Sequence, residues 1–237
     1  MKCYFQGCVK KGITKEHIPP RSFFPKGEKD QLLTVKSCED HNNAKSTGDL
    51  YVLAQICMHA SPSNRAREIF LKKIAPQIKF NGSALGKRLA KDAVYLPDGT
   101  VKYPVEVARF DEFFTALSCG LIFKSCGSQL PEYFDIEHIY PSFTSEGNPR
   151  RQKLEKTITE SYSGEPMEVL DFGKPNTQNE SIYTVEIFGM PNFESSITIV
   201  HWFFGTFKVI SMLTNRHSRI QLASKIVSFP KWGTGRK

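Results

Sequence analysis

Residues 49 to 80 carry the spacing of apolar residues that is typical of helices. From Asp49 onward, the stretch LYVLAQICMHA places an apolar residue on most helical turns. A second helix is predicted to begin at SPSN, with Ser61 as its N-cap and Pro62 in its first turn, and to run through RAREIFLKKIAPQI. The face of this helix that is expected to be buried carries Ile69, Phe70 and Ile74. The opposite face is expected to meet solvent or phosphate and carries Arg65, Arg67, Lys72 and Lys73.

Beyond residue 100 the pattern changes to one long helix followed by strands. The stretch VEVARFDEFFTALSCGLIFKSCG predicts a buried amphipathic helix that ends near Gly120 or Gly127. Alternating apolar residues then predict antiparallel strands at SIYTVEIFG (181–189), SITIVHWFF (196–204) and residues 207–213. Gly205 and Thr206 form the expected turn between the last two strands.

The first 48 residues have too few apolar side chains to fold by burial alone. They are dense in Cys, His, Pro, Gly and Asn, and their apolar runs are as short as LLTV at 32–35. A small module organised by a metal ion is therefore expected there. Together the patterns predict an α+β protein in three parts: an N-terminal metal module (1–60), a basic helical connector (61–95), and a domain of mixed helix and antiparallel strands (96–237).

Positive charge is concentrated in the first two of these parts. The chain of 237 residues has a net charge of +8, of which residues 1–60 supply +3, residues 61–95 supply +6 and residues 96–237 supply −1. Such an uneven distribution is expected if the N-terminal part meets a polyanion such as nucleic acid. Solvation of helix faces by Lys and Arg is the alternative explanation.

The most apolar stretch, ITIVHWFFGTFKVISML at 197–213, does not have the pattern of a membrane span. It is interrupted by His201, Gly205, Thr206 and Lys208, and we interpret it as two strands and a turn. The N-terminal residues MKCYFQGCVK contain no apolar leader segment, so a cytoplasmic protein without a membrane partner is expected. In that compartment the six cysteines are expected to be thiols or metal ligands.

Four residues near the N-terminus have the spacing of a structural zinc site. Cys3 and Cys8 form one close pair, and Cys38 and His41 form a second pair after a loop. Two close pairs of soft ligands are the usual arrangement around tetrahedral Zn²⁺, because each pair lies on one tight turn. The alternative is that these cysteines are scattered core residues.

The residues between and after the two pairs complete an ordered motif. EHIPP (16–20) lies between the pairs, and Asn42, Lys45 and Asp49 follow the second pair. The set resembles the HNH endonucleases, in particular those with zinc-binding cysteine pairs. Their pattern is a Cys pair, an acidic-His-x-x-Pro segment, and a C-x2-C pair followed by Asn or His, then Lys and often Asp. The match covers residues 3–49, about a fifth of the chain.

The resemblance implies a ββα-metal fold for the N-terminal module and a role for each matched residue. His17 is the expected general base, since a neutral imidazole can deprotonate water near neutral pH. Glu16 and Asn42 are the expected ligands of a catalytic Mg²⁺ or other divalent cation, because hard cations prefer oxygen ligands. The separate structural Zn²⁺ is assigned to Cys3, Cys8, Cys38 and His41.

Basic residues near the motif are candidates for contact with nucleic acid, with DNA as the expected partner. Lys45 follows Asn42 by three positions, as the family pattern requires, and Arg21 lies just past the two prolines. Arg65 and Arg67 lie on the outer face of the second predicted helix.

Two departures from the family pattern leave alternatives open. The family has a middle Asn on the second strand, which braces the loop that carries the base, whereas this chain has Leu33 there. The candidates to replace this Asn in bracing the loop are Asp30, Asn43 or a backbone carbonyl. The fourth zinc position is His41 in place of Cys, so His41 and Asn42 are able to exchange roles; we prefer His41 on zinc because it has the register of the second Cys.

A second copy of the phrase, EHIYP at 137–141, lacks the neighbours of the first. No Cys pair and no C-x2-H-N sequence follows it, so His138 is expected to have a structural role. Cys119 and Cys126, which precede it, are expected to be core thiols. Base stacking is an alternative to core packing for the aromatic residues Trp202, Phe203 and Phe204.

Three functional hypotheses follow from these patterns. The first is a metal-dependent endonuclease acting on DNA. The second is a zinc module that has lost catalysis and binds nucleic acid or protein, which the missing middle Asn favours. The third is a nuclease acting on DNA or RNA that is gated by a signal to the C-terminal domain, as an anti-phage effector would be. That domain is also a candidate surface for homo-oligomer formation.

Overall fold

The structure is a computed structural model. It describes residues 1–28, 32–43, 46–60, 63–80, 84–143, 168–170, 179–189 and 192–217. The described elements are helices and antiparallel sheets, which confirms the predicted α+β class.

The N-terminal module has the order strand, strand, helix. Its elements are β1 (Thr14–His17), β2 (Thr34–Ser37) and α1 (Glu39–Asn43), with a 3-10 turn at Arg21–Phe23 between the strands. The two strands are antiparallel, and His17 is paired with Thr34. His17 is therefore the last residue of β1, and the chain leaves the hairpin directly after it.

A longer helix, α2 (Ser46–His59), ends the N-terminal part, and the connector is a series of short helices. The connector contains α3 (Asn64–Ile69), a π-helical turn (Phe70–Ile74), α4 (Ala75–Lys79) and α5 (Ala84–Leu89). The predicted N-cap at Ser61 is wrong, because the Ser63 hydroxyl accepts a hydrogen bond from the amide of Ala66 at 3.4 Å. Ser61 itself lies outside the described residues. Ile69 and Ile74 are buried as expected, and Phe70 is half-buried.

An exposed two-stranded hairpin spans the predicted boundary at residue 95, and a long buried helix follows it. The hairpin consists of β3 (Val94–Tyr95) and β4 (Val101–Lys102), and the helix is α6 (Val107–Cys126). Of the two predicted ends for this helix, Gly127 is correct: its φ of 71° is a left-handed conformation that favours glycine, and its amide donates to the carbonyl of Phe123. Gly120 lies inside the helix and is buried.

The remaining strands form one five-stranded antiparallel sheet of order β5-β9-β8-β7-β6. They are β5 (Phe134–Ile139), β6 (Glu168–Leu170), β7 (Tyr183–Phe188), β8 (Ile197–Phe203) and β9 (Phe207–Asn215). The strands and the turn predicted around Gly205–Thr206 are confirmed. The turn has positive φ at Phe204 and Gly205.

Side chains from all three parts share one hydrophobic core. Phe23 of the N-terminal module stacks on Phe113 of α6 at 5.2 Å between ring centroids, and it meets Phe203 of β8 at 5.5 Å. On α2, Tyr51 packs edge-on against Phe110 of α6. The division of the chain at residues 60 and 95 stays a prediction, and the packing of the core crosses both positions.

None of the described helices is both long enough and apolar enough to cross a membrane. The longest of them, α6, lies against β5 and β9. The apolar stretch at 197–213 forms β8, a turn and β9, as predicted.

Candidate functional site

The four predicted zinc ligands come together at one point. The Nδ1 atom of His41 lies 3.5 Å from the sulfur of Cys3 and 3.2 Å from the sulfur of Cys38, and the sulfurs of Cys8 and Cys38 are 3.9 Å apart. Around a tetrahedral Zn²⁺ with Zn–S bonds of about 2.3 Å, neighbouring sulfurs lie about 3.8 Å apart. The cluster therefore has the ligand set and spacing to bind a metal ion such as zinc.

Local chain geometry explains how each pair reaches the cluster. Cys3 and Cys8 lie on a loop in which Gly7 has a φ of 70°, and the amide of Cys8 donates to the carbonyl of Phe5. Cys38 directly follows β2, and His41 lies in the first turn of α1. Burial opposes the thiolate of Cys38, but hydrogen bonds from the His41 amide and from Cys3 outweigh it and lower the pKa of Cys38.

His41 belongs to this cluster in the structure, as we preferred from its register. Its imidazole stacks on the ring of Phe5 at 4.2 Å between centroids, with an angle of 12° between the planes. This contact fixes the ring so that Nδ1 faces the sulfurs of Cys3 and Cys38. Asn42, the next residue, is half-buried on α1, and its role as a ligand of a catalytic metal stays a prediction.

Two glutamine side chains connect the loop from Cys3 to Cys8, called here the metal-binding loop, to the rest of the molecule. The Nε2 atom of Gln129, just after α6, donates to the carbonyls of Cys3, Phe5 and Cys8 at 2.6, 3.0 and 2.8 Å. In the opposite direction, Gln6 donates to the carbonyls of Pro131 and Phe134 at 2.7 and 2.9 Å. Sequence reasoning missed both residues, because a lone Gln carries no signal of a partner that lies more than a hundred positions away.

Glu16 and His17 line a small cavity behind the hairpin. Its accessible volume is about 10 Å³, which is room for one water molecule. The other residues that line it are Tyr4, Ile18, Pro20, Asp49, Phe113, Ala116 and Leu117. The side chain of Glu16 is buried, with 7% of its surface exposed. The cavity therefore places a buried carboxylate and an imidazole close to the apolar residues of α6.

The electrostatics of the cavity favour a neutral imidazole at His17. Burial lowers the pKa of His17 most, and the positive charges of Arg21 and Lys15 lower it further. Burial also raises the pKa of Tyr4, and the carboxylates of Glu16 and Asp49 add to that effect. Tyr4 therefore keeps its proton beside two carboxylates, and His17 has a free lone pair on one ring nitrogen at neutral pH.

Asp49 is the second carboxylate of the cavity and had been given no role from sequence. It matches the late acidic position of the motif, and α2 carries it to the same cavity as Glu16. Within the described part of the chain, the Cys/His cluster is the one group of three or more His, Cys, Asp or Glu side chains whose ligand atoms converge closely. Glu16 and Asp49 thus offer oxygen ligands without forming such a group.

The middle position of the motif is occupied by Leu33, whose backbone carbonyl contacts the residue that follows the predicted base. The carbonyl of Leu33 accepts a hydrogen bond from the amide of Ile18 at 2.9 Å, directly after His17. A backbone carbonyl was one of the three predicted replacements. Asp30 and the side chain of Asn43, the other two, lie outside the described residues.

The residues predicted to contact phosphate have different surroundings. Arg21 and Arg67 are exposed. Arg65 forms ion pairs with Glu28 and with Glu68, and its side chain is only 15% exposed. Lys45 lies outside the described residues.

His138, in the second copy of the phrase, belongs to a buried chain of hydrogen bonds. The chain runs from Thr115 on α6 through His138, Ser211 and His201 to Tyr183, with successive distances of 3.0, 2.9, 2.9 and 2.8 Å. A continuous donor–acceptor order exists with both imidazoles neutral, starting from the Tyr183 hydroxyl. Burial lowers the pKa of His138 to about 4. These contacts are those of a structural residue, as predicted.

The aromatic residues and the cysteines of the C-terminal part mostly pack in or against the core. Phe203 and Phe204 are buried, while Trp202 is half-buried with the Lys208 ammonium 5.2 Å from the centre of its ring. Cys119 is buried, Cys126 is half-buried, and neither forms a disulfide.

Comparisons of the chain with protein-family models, characterised proteins and solved structures find no significant match.

Proposed function

We propose that this protein is a metal-dependent endonuclease of the HNH type that hydrolyses phosphodiester bonds of DNA. The observation that carries the proposal is the half-buried His17 beside the buried carboxylate of Glu16, in one cavity at the edge of a strand-strand-helix module. The ordered motif and the adjacent Cys/His cluster support the same function.

His17 acts as the general base in this proposal. Its lowered pKa leaves the imidazole neutral near pH 7, so it is able to take a proton from water. As the water oxygen bonds to phosphorus and gives a proton to His17, the bond from phosphorus to the leaving oxygen breaks. The leaving oxygen keeps the electron pair of that bond and takes a proton from solvent. The apolar wall formed by Phe113 and Leu117 limits access of other water to the base.

Two metal ions of different kinds fit the residues present. Zn²⁺ suits the Cys3, Cys8, Cys38 and His41 cluster, where it would hold the N-terminal loop to α1. Mg²⁺ or another hard divalent cation suits the oxygen atoms of Glu16 and Asp49, with Asn42 as the further ligand that the resemblance assigns. When bound, that cation would supply positive charge to stabilise the phosphate in the transition state.

The number and exposure of basic side chains support the proposal that the partner is nucleic acid. Arg21 begins the 3-10 turn that follows the two prolines, four residues after His17, and it is exposed. Further exposed basic side chains lie on or near α3 to α5: Arg67, Lys72, Lys79, Lys87, Arg88 and Lys91. The net charge of +6 over residues 61–95 comes from this region, and it is suited to phosphate contacts that do not depend on base sequence.

A binding module without catalytic activity is the second candidate. Two observations favour it: Leu33 stands at the position of the bracing Asn, and Glu16 and Asp49 do not converge with a third ligand in the described residues. Such a protein would bind DNA with zinc in place and leave it uncut.

Cleavage of supercoiled plasmid separates the two candidates. The endonuclease converts plasmid to nicked or linear form with Mg²⁺ and stops when Mg²⁺ is omitted, while zinc content, measured in the same samples, stays constant. His17→Ala is expected to lower the rate by about 100-fold or more, because a general base supplies about 10²–10⁴ in rate. His217→Ala, at an exposed position just after β9, is the matched control and is expected to retain full activity. Plasmid that is bound but never cut identifies the binding module.

A further inference from the structure

Gly120 occupies an unfavourable position for glycine, the interior of the 20-residue helix α6. Glycine in a helix interior costs about 1 kcal/mol relative to alanine. The packing around Gly120 explains why glycine is present there despite this cost. A Cβ atom at residue 120 would overlap Cδ1 of Ile18 and would lie 3.0 Å from its Cγ1 and 3.6 Å from Cδ2 of Tyr4. The missing side chain therefore leaves a notch in α6 that the side chain of Ile18 fills.

Ile18 is the residue directly after His17, and it is held from two sides. Its amide donates to the carbonyl of Leu33 on the hairpin, and its side chain, with 2% of its surface exposed, lies in the notch of α6. Because Ile18 is branched at Cβ, its χ1 angle is restricted in this position. The backbone at the end of β1 is consequently fixed relative to α6.

The same face of α6 forms the back wall of the His17 cavity. Phe113, Ala116 and Leu117 line the cavity, and Gly120 follows at the next helical position of that face, since residues spaced by three, four and seven share one side of a helix. Near the end of this wall, Phe113 stacks on Phe23 of the 3-10 turn that follows the prolines. The helix thus contacts the segment on both sides of Pro19 and Pro20.

We propose that Gly120 is a positioning residue for His17: the notch in α6, together with the carbonyl of Leu33, performs the bracing that a side-chain amide on β2 would otherwise provide. This role rests on the proposed nuclease function. It also assigns a task to α6, which lies outside the N-terminal motif, because the base would be held in place by Gly120, a residue 103 positions away in sequence.

Gly120→Ala tests the proposal, and Ile18→Val is its designed rescue. Val lacks the one atom, Cδ1, that the new methyl group would overlap. In Gly120→Ala we expect kcat for plasmid cleavage to fall about tenfold or more with KM for DNA changed less than about twofold, because a small misplacement of a catalytic group costs rate rather than binding. The double variant Gly120→Ala/Ile18→Val is expected to recover most of that loss.

The control for the change of residue type is Gly48→Ala, also in a helix, where a Cβ atom would meet only the end of Arg109 at 4.0 Å. It is expected to retain wild-type kcat. If Gly120→Ala is folded and keeps kcat within about twofold of the wild type, or if the double variant recovers nothing, the positioning role is wrong.

A second readout keeps this test separate from the fate of the nuclease proposal. In NMR spectra of histidine-labelled protein, the ring signals of His17 are expected to shift in Gly120→Ala and to return in the double variant, with the signals of His217 unchanged. If the wild type cleaves nothing, these spectra alone decide the positioning role, and unmoved His17 signals overturn it. If Gly120→Ala does not fold, Ile18→Ala, which empties the notch from the other side, is expected to shift the same His17 signals, and unmoved signals again overturn the role.

Discussion

His17 and His138 lie in the same local sequence, Glu-His-Ile, yet their side chains meet different surroundings. His17 is half-buried beside a carboxylate and lines a cavity. Both ring nitrogens of His138 are occupied, one by Thr115 and one by Ser211. A base needs a free lone pair that water can reach, so only His17 has the contacts that general-base chemistry requires.

The pH dependence of cleavage tests the protonation state of His17. Burial, Arg21 and Lys15 lower its pKa below the ordinary value of 6.5, so the neutral form predominates at pH 7 and above. We expect kcat/KM to be level from about pH 7 to 8 and to fall only below about pH 6.5, because the imidazole gains a proton only in that acid range. Rates measured at fixed ionic strength and saturating Mg²⁺ check this. An inflection above pH 7 would contradict the neutral state assigned to His17.

Among the secondary-structure elements, the segment that follows α6 controls the metal-binding loop. Gln129 donates to three carbonyls of the loop, two of which belong to the ligands Cys3 and Cys8. We expect Gln129→Ala to bind Zn²⁺ about tenfold more weakly, since loss of outer contacts around metal ligands costs about 10–100-fold in affinity. The rate of zinc transfer to a coloured chelator measures this.

The matched control for Gln129→Ala is Gln77→Ala, at an exposed position on α4. It is expected to release zinc at the wild-type rate. Equal release from the Gln129 and Gln77 variants would show that the loop holds its geometry without the carbonyl contacts.

The elements differ in how far the sequence predicts them. The Cys/His cluster was predictable because its ligands are scarce residue types at short spacing, and α6 and β7 to β9 because their apolar periods are long. The N-cap at Ser63 was missed because two serines flank Pro62, and only geometry decides which hydroxyl reaches the amide of Ala66. Gln129 and Gly120 had no signal, since their partners lie over a hundred residues away.

The repeated phrase has a structural meaning that is independent of chemistry. Both copies end a strand, β1 and β5, and both lead through proline into a 3-10 turn, at Arg21–Phe23 and at Pro141–Phe143. The phrase therefore sets a local chain path. Which copy has a reactive histidine depends on contacts from other elements.

At the scale of the whole molecule, the positive charge of residues 61–95 makes the connector the expected surface for binding DNA. We expect Arg67→Gln/Lys87→Gln/Lys91→Gln, which changes three exposed residues of the connector, to weaken DNA binding and to flatten its dependence on salt. Each phosphate contact contributes about 0.9 to the slope of log affinity against log salt, so the slope should fall by up to about 3. Fluorescence anisotropy with a labelled duplex at several salt concentrations measures it.

Lys124→Gln, at an exposed position on α6, is the control for the connector variant and should leave the slope unchanged. A connector variant with the wild-type slope would exclude this surface from the DNA interface and leave Arg21 and its neighbours as the contacts.

The packing of Phe23 between Phe113 and Phe203 also fixes the order of events during protein synthesis. A ribosome releases the metal-binding loop and the EHIPP segment long before it has made α6 and β8, and contacts so distant in sequence form late. In the nascent chain, the N-terminal module therefore lacks its contacts with α6 and β8 until more than 200 residues have been translated. Only a polypeptide that extends through β8 would then carry the assembled site, so shorter fragments would lack the activity proposed for His17.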